Sequence, residues 1–116
     1  MVDTVYAIDS TPERLVEAEK IGAKVINLND DPVAKIKAAT DGRGADVVME
    51  VVGHTDALML SLDLIRPWGQ ISSIGVHTEK MEINGLMLYG KNVTMSFGRC
   101  PVRSIFEDAL ELLMQQ

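Results

Sequence analysis

The sequence contains a single cysteine, Cys100, which excludes a disulfide within the chain. Scarce cysteine is typical of proteins in a reducing compartment, so we expect a cytoplasmic location. Histidine is nearly as rare, with only His54 and His77. A zinc site needs three or four converging Cys, His or carboxylate ligands. Cys100, His54 and His77 show no close pairing in the sequence. We therefore predict no metal site.

Excess positive charge and long apolar runs are also missing. The formal net charge is −6, which argues against nucleic acid and anionic membrane surfaces as partners. No apolar run approaches the roughly 20 residues of a membrane span, and the N-terminal residues lack the basic and apolar regions of a signal peptide. Hydrophobic residues still make up 47% of the 116 residues, which is enough for one domain, residues 1–116, with a packed core.

Short apolar runs alternate with amphipathic segments along most of the chain. The nearly continuous apolar run at 46–52 is typical of a strand covered on both faces. Alternating strands and helices joined by short glycine-bearing turns predict an α/β fold with a parallel sheet and helices on both faces. The predicted strands lie at 5–8, 24–27, 46–52, 70–74 and 92–97, and helices begin near Pro12, Pro32, Thr55 and Pro101.

One acidic residue and three glycines follow the predicted strands: Asp9, Gly53, Gly75 and Gly98. Ligands of parallel sheets bind outside this carboxyl edge, and an acid there accepts hydrogen bonds from the adenosine ribose hydroxyls. Such an acid repels a 2′-phosphate, which favours NAD over NADP. Arg14, five residues after Asp9, would reach the same ribose or the adenine.

Each of these residues also has a plainer interpretation. Asp9 would then be a solvated turn acid or a cap for the following helix, and Arg14 an exposed helix charge. Gly53 and Gly75 would be turn glycines with positive φ, rather than places where a side chain collides with a cofactor. Glu50 is better explained as a paired structural carboxylate than as an acid that supports a site. The apolar stretch 81–89 is interpreted as core, although it is long enough for an oligomer contact.

Four segments resemble the cofactor domain of medium-chain, zinc-type alcohol dehydrogenases, in the same order and with similar spacing. They are VYAID-STPERLVEAEKIGA, GRGADVVMEVVG, LIRPWGQISSIGV and YGKNVTMSFGRCPVRSIFEDALELL. The resemblance covers essentially the whole chain. It implies a Rossmann-like fold and an NAD-dependent interconversion of alcohols with aldehydes or ketones, in which zinc polarises the oxygen in the intact enzyme.

The resemblance also implies which residues contact the cofactor. Asp9 would hold the adenosine ribose, and Arg14 would assist it. Three loop segments would pass along the cofactor, the last two of them near its nicotinamide half. They comprise Val52 and Gly53; Ile74, Gly75 and Val76; and, as weaker candidates, Ser96, Phe97 and Gly98. No residue of the chain is predicted to be catalytic.

The sequence departs from the family pattern in what it does not contain. The glycine-rich turn expected about twenty residues before Asp9 is absent, together with the first βα unit and the catalytic domain with its zinc ligands. The pyrophosphate thereby loses its helix N-terminus. We expect that this chain alone neither oxidises alcohols nor binds NAD tightly.

The missing strand is central in the family's sheet order, 3-2-1-4-5-6. The strands at 5–8 and 46–52 would flank its place, and each would carry unpaired backbone groups. We expect these strands either to close up or to be joined by a second chain. We favour a homo-oligomer formed through the exposed sheet edges.

Two other functions remain open from the sequence. The first is a catalytically inert module for nucleotide binding or oligomeric assembly. The second is a methyltransferase-like domain, in which an acid after the second strand holds the ribose of S-adenosylmethionine. The EVVG and IGV segments do not suit that second alternative.

Overall fold

The computed structural model describes residues 2–115, in which strands and helices alternate throughout. All strand pairs are parallel, which confirms the predicted α/β class. The elements are β1 (Tyr6–Asp9), α1 (Pro12–Lys20), β2 (Lys24–Asn27), α2 (Pro32–Ala39), β3 (Ala45–Glu50), α3 (Thr55–Leu64), β4 (Ile65–Ser73), α4 (Gly85–Lys91), β5 (Thr94–Phe97) and α5 (Val102–Met114). In one sheet β1 pairs with β2, and in the other the strand order is β3-β4-β5.

Local signals explain where the helices begin. Proline occupies the first turn of α1 and of α2, where its missing N–H costs no helix bond. The Asp31 carboxylate accepts a hydrogen bond from the Ala34 N–H at 3.1 Å and so caps α2. The sequence does not predict helix α4, because the apolar residues of this stretch show no clear period. Its cap is nevertheless local, since the Asn84 side chain accepts a bond from the Leu86 N–H at 2.9 Å.

Helix α3 supplies the centre of the hydrophobic core. Leu58 and Leu62 are fully buried and pack with Ile65 and Ile71 from β4. Four apolar residues of the 81–89 stretch pack against this cluster, whereas its Leu86 and Tyr89 are exposed, so the interpretation as core holds for only part of the stretch. Leu64, at the end of α3, belongs to a second cluster with residues from β2 and α2. The same helix therefore contributes to the packing of both sheets.

No backbone ladder joins β1 to β3 within residues 2–115. Of the two expected alternatives, direct pairing of these strands is not observed, because β1 pairs only with β2 and β3 only with β4. The exposed fractions of Val47 and Met49 on β3 are 57% and 65%. Every residue of α5 is exposed as well, including its apolar side. Two apolar surfaces thus have no covering element in the described part of the chain.

Within the described residues, no helix combines the length and apolar character needed to cross a membrane.

Candidate functional site

Asp9 is the last residue of β1, and its side chain is 31% exposed. One carboxylate oxygen, Oδ1, accepts a hydrogen bond from the Thr11 N–H at 2.8 Å. This bond lowers the pKa of Asp9 and outweighs the opposing effect of burial, and the Thr11 hydroxyl and Arg14 lower the pKa further. Asp9 is therefore an ionised acceptor at neutral pH. It has lone pairs left for a ligand.

Arg14 lies beside Asp9, as the five-residue spacing predicted. Its Nη1 is 3.4 Å from the Asp9 Oδ2, and the arginine side chain is 73% exposed. Both plainer interpretations also find support here, because Asp9 binds the turn before α1 and Arg14 is an exposed helix charge. The contact of this pair with a ribose stays a prediction.

Two glycine-containing turns meet at the carboxyl edge of the other sheet. One follows β3 at Val52 and Gly53, and the other follows β4 at 74–76. A Cβ on Gly75 would lie only 2.1 Å from the Gly53 nitrogen, and a Cβ on Gly53 would lie 2.6 Å from the Val76 nitrogen. Neither turn could carry a side chain at its glycine, because the backbone of the other turn occupies that space.

This contact refines the two interpretations of the glycines. Gly53 has a φ of +80°, as expected of a turn glycine. The φ of Gly75 is not positive, so the expectation of a positive φ is wrong for this residue. The first atoms that a Cβ would meet belong to the protein. Collision of a side chain with a cofactor stays a prediction.

The end of β5 adjoins the same turns. The Gly98 N–H donates to the Ser73 carbonyl at 3.3 Å. The Phe97 ring stands edge-on to the His77 ring, with the centroids 6.3 Å apart. The structure therefore brings together, at one edge, the loop residues that the sequence assigned to the cofactor. These are Val52, Gly53, Ile74, Gly75, Val76 and Phe97, of which Val52, Val76 and Phe97 are at least half exposed.

A buried polar cluster lies directly beneath these turns. The Glu50 Oε1 accepts hydrogen bonds from the Val52 and Gly53 N–H groups, each at 2.7 Å. The Glu50 Oε2 accepts a hydrogen bond from the Ser73 hydroxyl at 2.6 Å. The His77 Nε2 lies 3.0 Å from the Ser73 Oγ and 3.0 Å from the Glu50 Oε2. The structure supports the interpretation of Glu50 as a paired carboxylate. Sequence reasoning missed its partners Ser73 and His77, which no local pattern marks.

Hydrogen bonding keeps the buried Glu50 ionised. Burial alone would raise the pKa of Glu50 because it disfavours the charged form. The bonds from Ser73, Gly53, Val52 and His77 outweigh burial and hold the pKa below its ordinary value. Every buried side-chain nitrogen and oxygen in the described residues has a hydrogen-bond partner, so this cluster is complete by itself.

The candidate site is an open edge, because the side chains of Val52, Val76 and Phe97 along it are at least half exposed. A cleft of about 70 Å³ beside His77 is far smaller than the ~300–1,000 Å³ of small-molecule pockets. Across residues 2–115, no three His, Cys, Asp or Glu side chains are placed to hold a metal ion. An ionised acceptor beside an arginine suits ribose hydroxyls, whereas the described residues assemble no donor set for zinc.

Comparison with known proteins supports the resemblance seen in the sequence. The sequence profile described as "Zinc-binding dehydrogenase" matches residues 2–115. The chain is 46% identical over 112 residues to zinc-type alcohol dehydrogenase B of Aspergillus flavus, covering 94% of this chain and 26% of that protein. It is 34% identical over 112 residues to a probable zinc-binding alcohol dehydrogenase of Mycobacterium tuberculosis, covering 95% of this chain and 28% of that protein.

A solved structure shows the same similarity. An alcohol dehydrogenase from Thermus sp. ATN1 superimposes with a TM-score of 0.87 at 32% identity, covering 97% of this chain and 33% of that chain. This match confirms the Rossmann-like fold predicted from the sequence. The chain spans about a quarter of the length of the curated relatives described above.

Proposed function

The chain belongs to the zinc-binding dehydrogenase family, and from that premise we propose that it binds NAD as part of an alcohol dehydrogenase. In the intact enzyme the reaction would interconvert an alcohol with an aldehyde or ketone. The observation that carries the proposal is the pairing of the ionised Asp9 carboxylate with Arg14 at the end of β1. We also propose a cytoplasmic location, which the exposed free thiol of Cys100 supports.

The residues of this chain would bind and orient the cofactor. The Asp9 carboxylate accepts hydrogen bonds from the adenosine ribose hydroxyls, and its charge disfavours a 2′-phosphate. Arg14 partly neutralises the negative charge of the Asp9 carboxylate and reaches towards the same sugar. The exposed turn residues Val52 and Val76 offer apolar contact to the remainder of the dinucleotide. When bound, NAD supplies the hydride acceptor.

Zinc enters this proposal only through the intact enzyme. The described residues assemble no donor set that would fit a zinc ion. We propose, consistently, that the chain by itself neither oxidises alcohols nor binds NAD tightly. Zinc-dependent turnover measured with the isolated chain would contradict this part of the proposal.

Titration of the chain with NAD and ADP-ribose tests the ribose contact. Nuclear magnetic resonance suits the weak affinity that we expect. Asp9→Ala should weaken binding of both ligands about tenfold or more, because the ribose hydroxyls lose a charged acceptor worth ~1.5–3 kcal/mol. Glu13→Ala, which removes an acid from the first turn of the following helix, is the matched control and should leave the affinities unchanged. Equal affinities for wild type and Asp9→Ala would refute the proposal.

A second candidate function is assembly, and the open apolar surfaces favour it. Strand β3 presents Val47 and Met49 to solvent, and as an edge strand of its sheet it is paired on one side only within the described residues. Unpaired apolar edges favour pairing with another chain. We propose a second copy of this chain as the occupant. Sedimentation should then show a dimer or a larger assembly that Met49→Lys dissociates, whereas a monomer at all concentrations would contradict self-association.

A further inference from the structure

Glu50 connects the two turns at the carboxyl edge of β3 and β4. Its carboxylate binds the N–H groups of Val52 and Gly53 in one turn. Its backbone carbonyl accepts hydrogen bonds from the Ile74 and Gly75 N–H groups of the other turn, at 2.9 and 3.2 Å. One residue therefore holds the backbones of both turns.

Ser73 and His77 bracket the second turn and return to the same carboxylate. Ser73 ends β4 before the turn, and His77 follows it, and both contact the Glu50 Oε2. The Glu50 and His77 side chains are 1% and 7% exposed, so water does not compete strongly for these bonds. The β4 turn is thus fixed at both of its ends by one buried charge.

The position of these turns matters because they press against each other. The contact between Gly53 and Gly75 leaves no room for even one additional carbon atom. A small displacement of either turn would therefore change the surface that both present. The hydrogen bonds of Glu50 that hold the two turns in contact therefore determine the shape of the surface at the carboxyl edge.

We propose that Glu50 is a positioning residue that acts through Ser73 and His77 to hold this double turn in the shape required by the non-adenosine half of a dinucleotide. The inference rests on the proposed function, in which Asp9 takes the adenosine ribose. A dinucleotide held there along the carboxyl edge extends its second half over the ends of β3, β4 and β5. Glu50 itself is buried and does not touch the ligand.

Glu50→Gln is the sharpest perturbation. It preserves the shape of the side chain, but an amide cannot accept all the hydrogen bonds that converge on this carboxylate. Asp46→Asn is the matched control, because it makes the same chemical change on the same strand, where Asp46 is exposed and pairs with Arg66. His77→Gln is a second, milder variant in case Glu50→Gln does not fold.

Two mononucleotides separate the halves of the site. Binding of AMP and of nicotinamide mononucleotide should be titrated by nuclear magnetic resonance against wild type and each variant. We expect Glu50→Gln to weaken nicotinamide mononucleotide about tenfold and to leave AMP unchanged, with the same pattern but a smaller loss for His77→Gln. Asp46→Asn should change neither affinity. Amide exchange at Gly53 and Gly75 should accelerate about tenfold in Glu50→Gln, beyond any uniform change across the core.

The outcomes distinguish the inference from the proposed function. Unchanged nicotinamide mononucleotide binding in Glu50→Gln, or an equal loss for both ligands, would overturn the positioning role while the Asp9 contact stands. If wild type binds neither mononucleotide, the proposed function fails, and the role of Glu50 towards a dinucleotide fails with it. Amide exchange then decides only whether Glu50 holds the two turns, since acceleration confined to them supports that hold and uniform acceleration overturns it.

Discussion

Lys91 connects the end of α4 to the end of α3, and its replacement gives a quantitative test of the packing. The Lys91 Nζ donates hydrogen bonds to the Leu62 carbonyl and, at 3.1 Å, to the Ile65 carbonyl. The Leu62 carbonyl lies in the last turn of α3 and Ile65 directly follows the helix, where helix bonding leaves acceptors unpaired. The chain passes directly from α3 into β4 with Ile65 in an extended conformation. The lysine therefore caps a helix that has no local capping turn.

The expected cost of Lys91→Met follows from two opposing effects. Burial lowers the pKa of Lys91, as does the positive charge of Lys37, whereas Asp63 raises it; the ammonium thus loses hydration in the fold. Hydrogen bonds to charged groups contribute ~1.5–3 kcal/mol each, and relief of the lost hydration offsets part of that sum. We expect a net loss of about 2 kcal/mol in the free energy of unfolding. For a domain of this size that corresponds to a fall of about 8 °C in Tm.

Urea and thermal unfolding followed by circular dichroism would measure this loss. Lys80→Met is the matched control, because Lys80 is 85% exposed and pairs only with the equally exposed Glu82. That variant should unfold like wild type, since surface ion pairs contribute little. If Lys91→Met were as stable as Lys80→Met, the carbonyls at the end of α3 would not depend on the lysine, and the reasoning would be refuted.

Three further predictions concern the core and the double turn. Leu62→Ala should lower the free energy of unfolding by about 3 kcal/mol in urea titrations, because the side chain is fully buried, and a loss below about 1 kcal/mol would contradict that packing. Gly75→Ala should lower Tm, since its Cβ would meet the Gly53 backbone at 2.1 Å, whereas Gly98→Ala, with open space around it, should not; equal Tm values would argue against the contact. The lowered pKa of Glu50 stabilises the fold at pH values above 4.5, the ordinary pKa of this group, and the contribution is lost as the pH falls through the folded-state pKa. The difference in the free energy of unfolding between wild type and Glu50→Gln should therefore narrow below about pH 4.5. A difference that does not change with pH would contradict this prediction.

Features encoded by neighbouring residues were predictable from the sequence. Pro12 and Pro32 mark helix starts, because proline is preorganised for the first turn. The spacing of Leu58 and Leu62 predicts the inward face of α3. The five-residue separation of Asp9 and Arg14 predicts their proximity, since β1 leads into α1 through a short turn. Each of these depends on backbone geometry within a few residues.

Features that depend on distant residues were not predictable. Glu50, Ser73 and His77 meet only because β3 and β4 pair in register, with Glu50 opposite Ser73. His77 lies in a polar stretch that carries no periodic signal. The contact of Gly53 with Gly75 likewise requires the position of both turns in space. The apolar side of α5 predicts a partner surface, but the described residues provide none.

The central claim is that Asp9 receives the adenosine ribose, and a crystal structure of the chain with ADP-ribose tests it most directly. We predict both ribose hydroxyls within about 3 Å of the Asp9 carboxylate, which is hydrogen-bond distance. A competing position exists at the opposite end of the strands, in the open groove lined by Gly42, Arg43, Arg66 and Pro67. ADP-ribose bound in that groove, with Asp9 contacting only Thr11 and Arg14, would contradict the account.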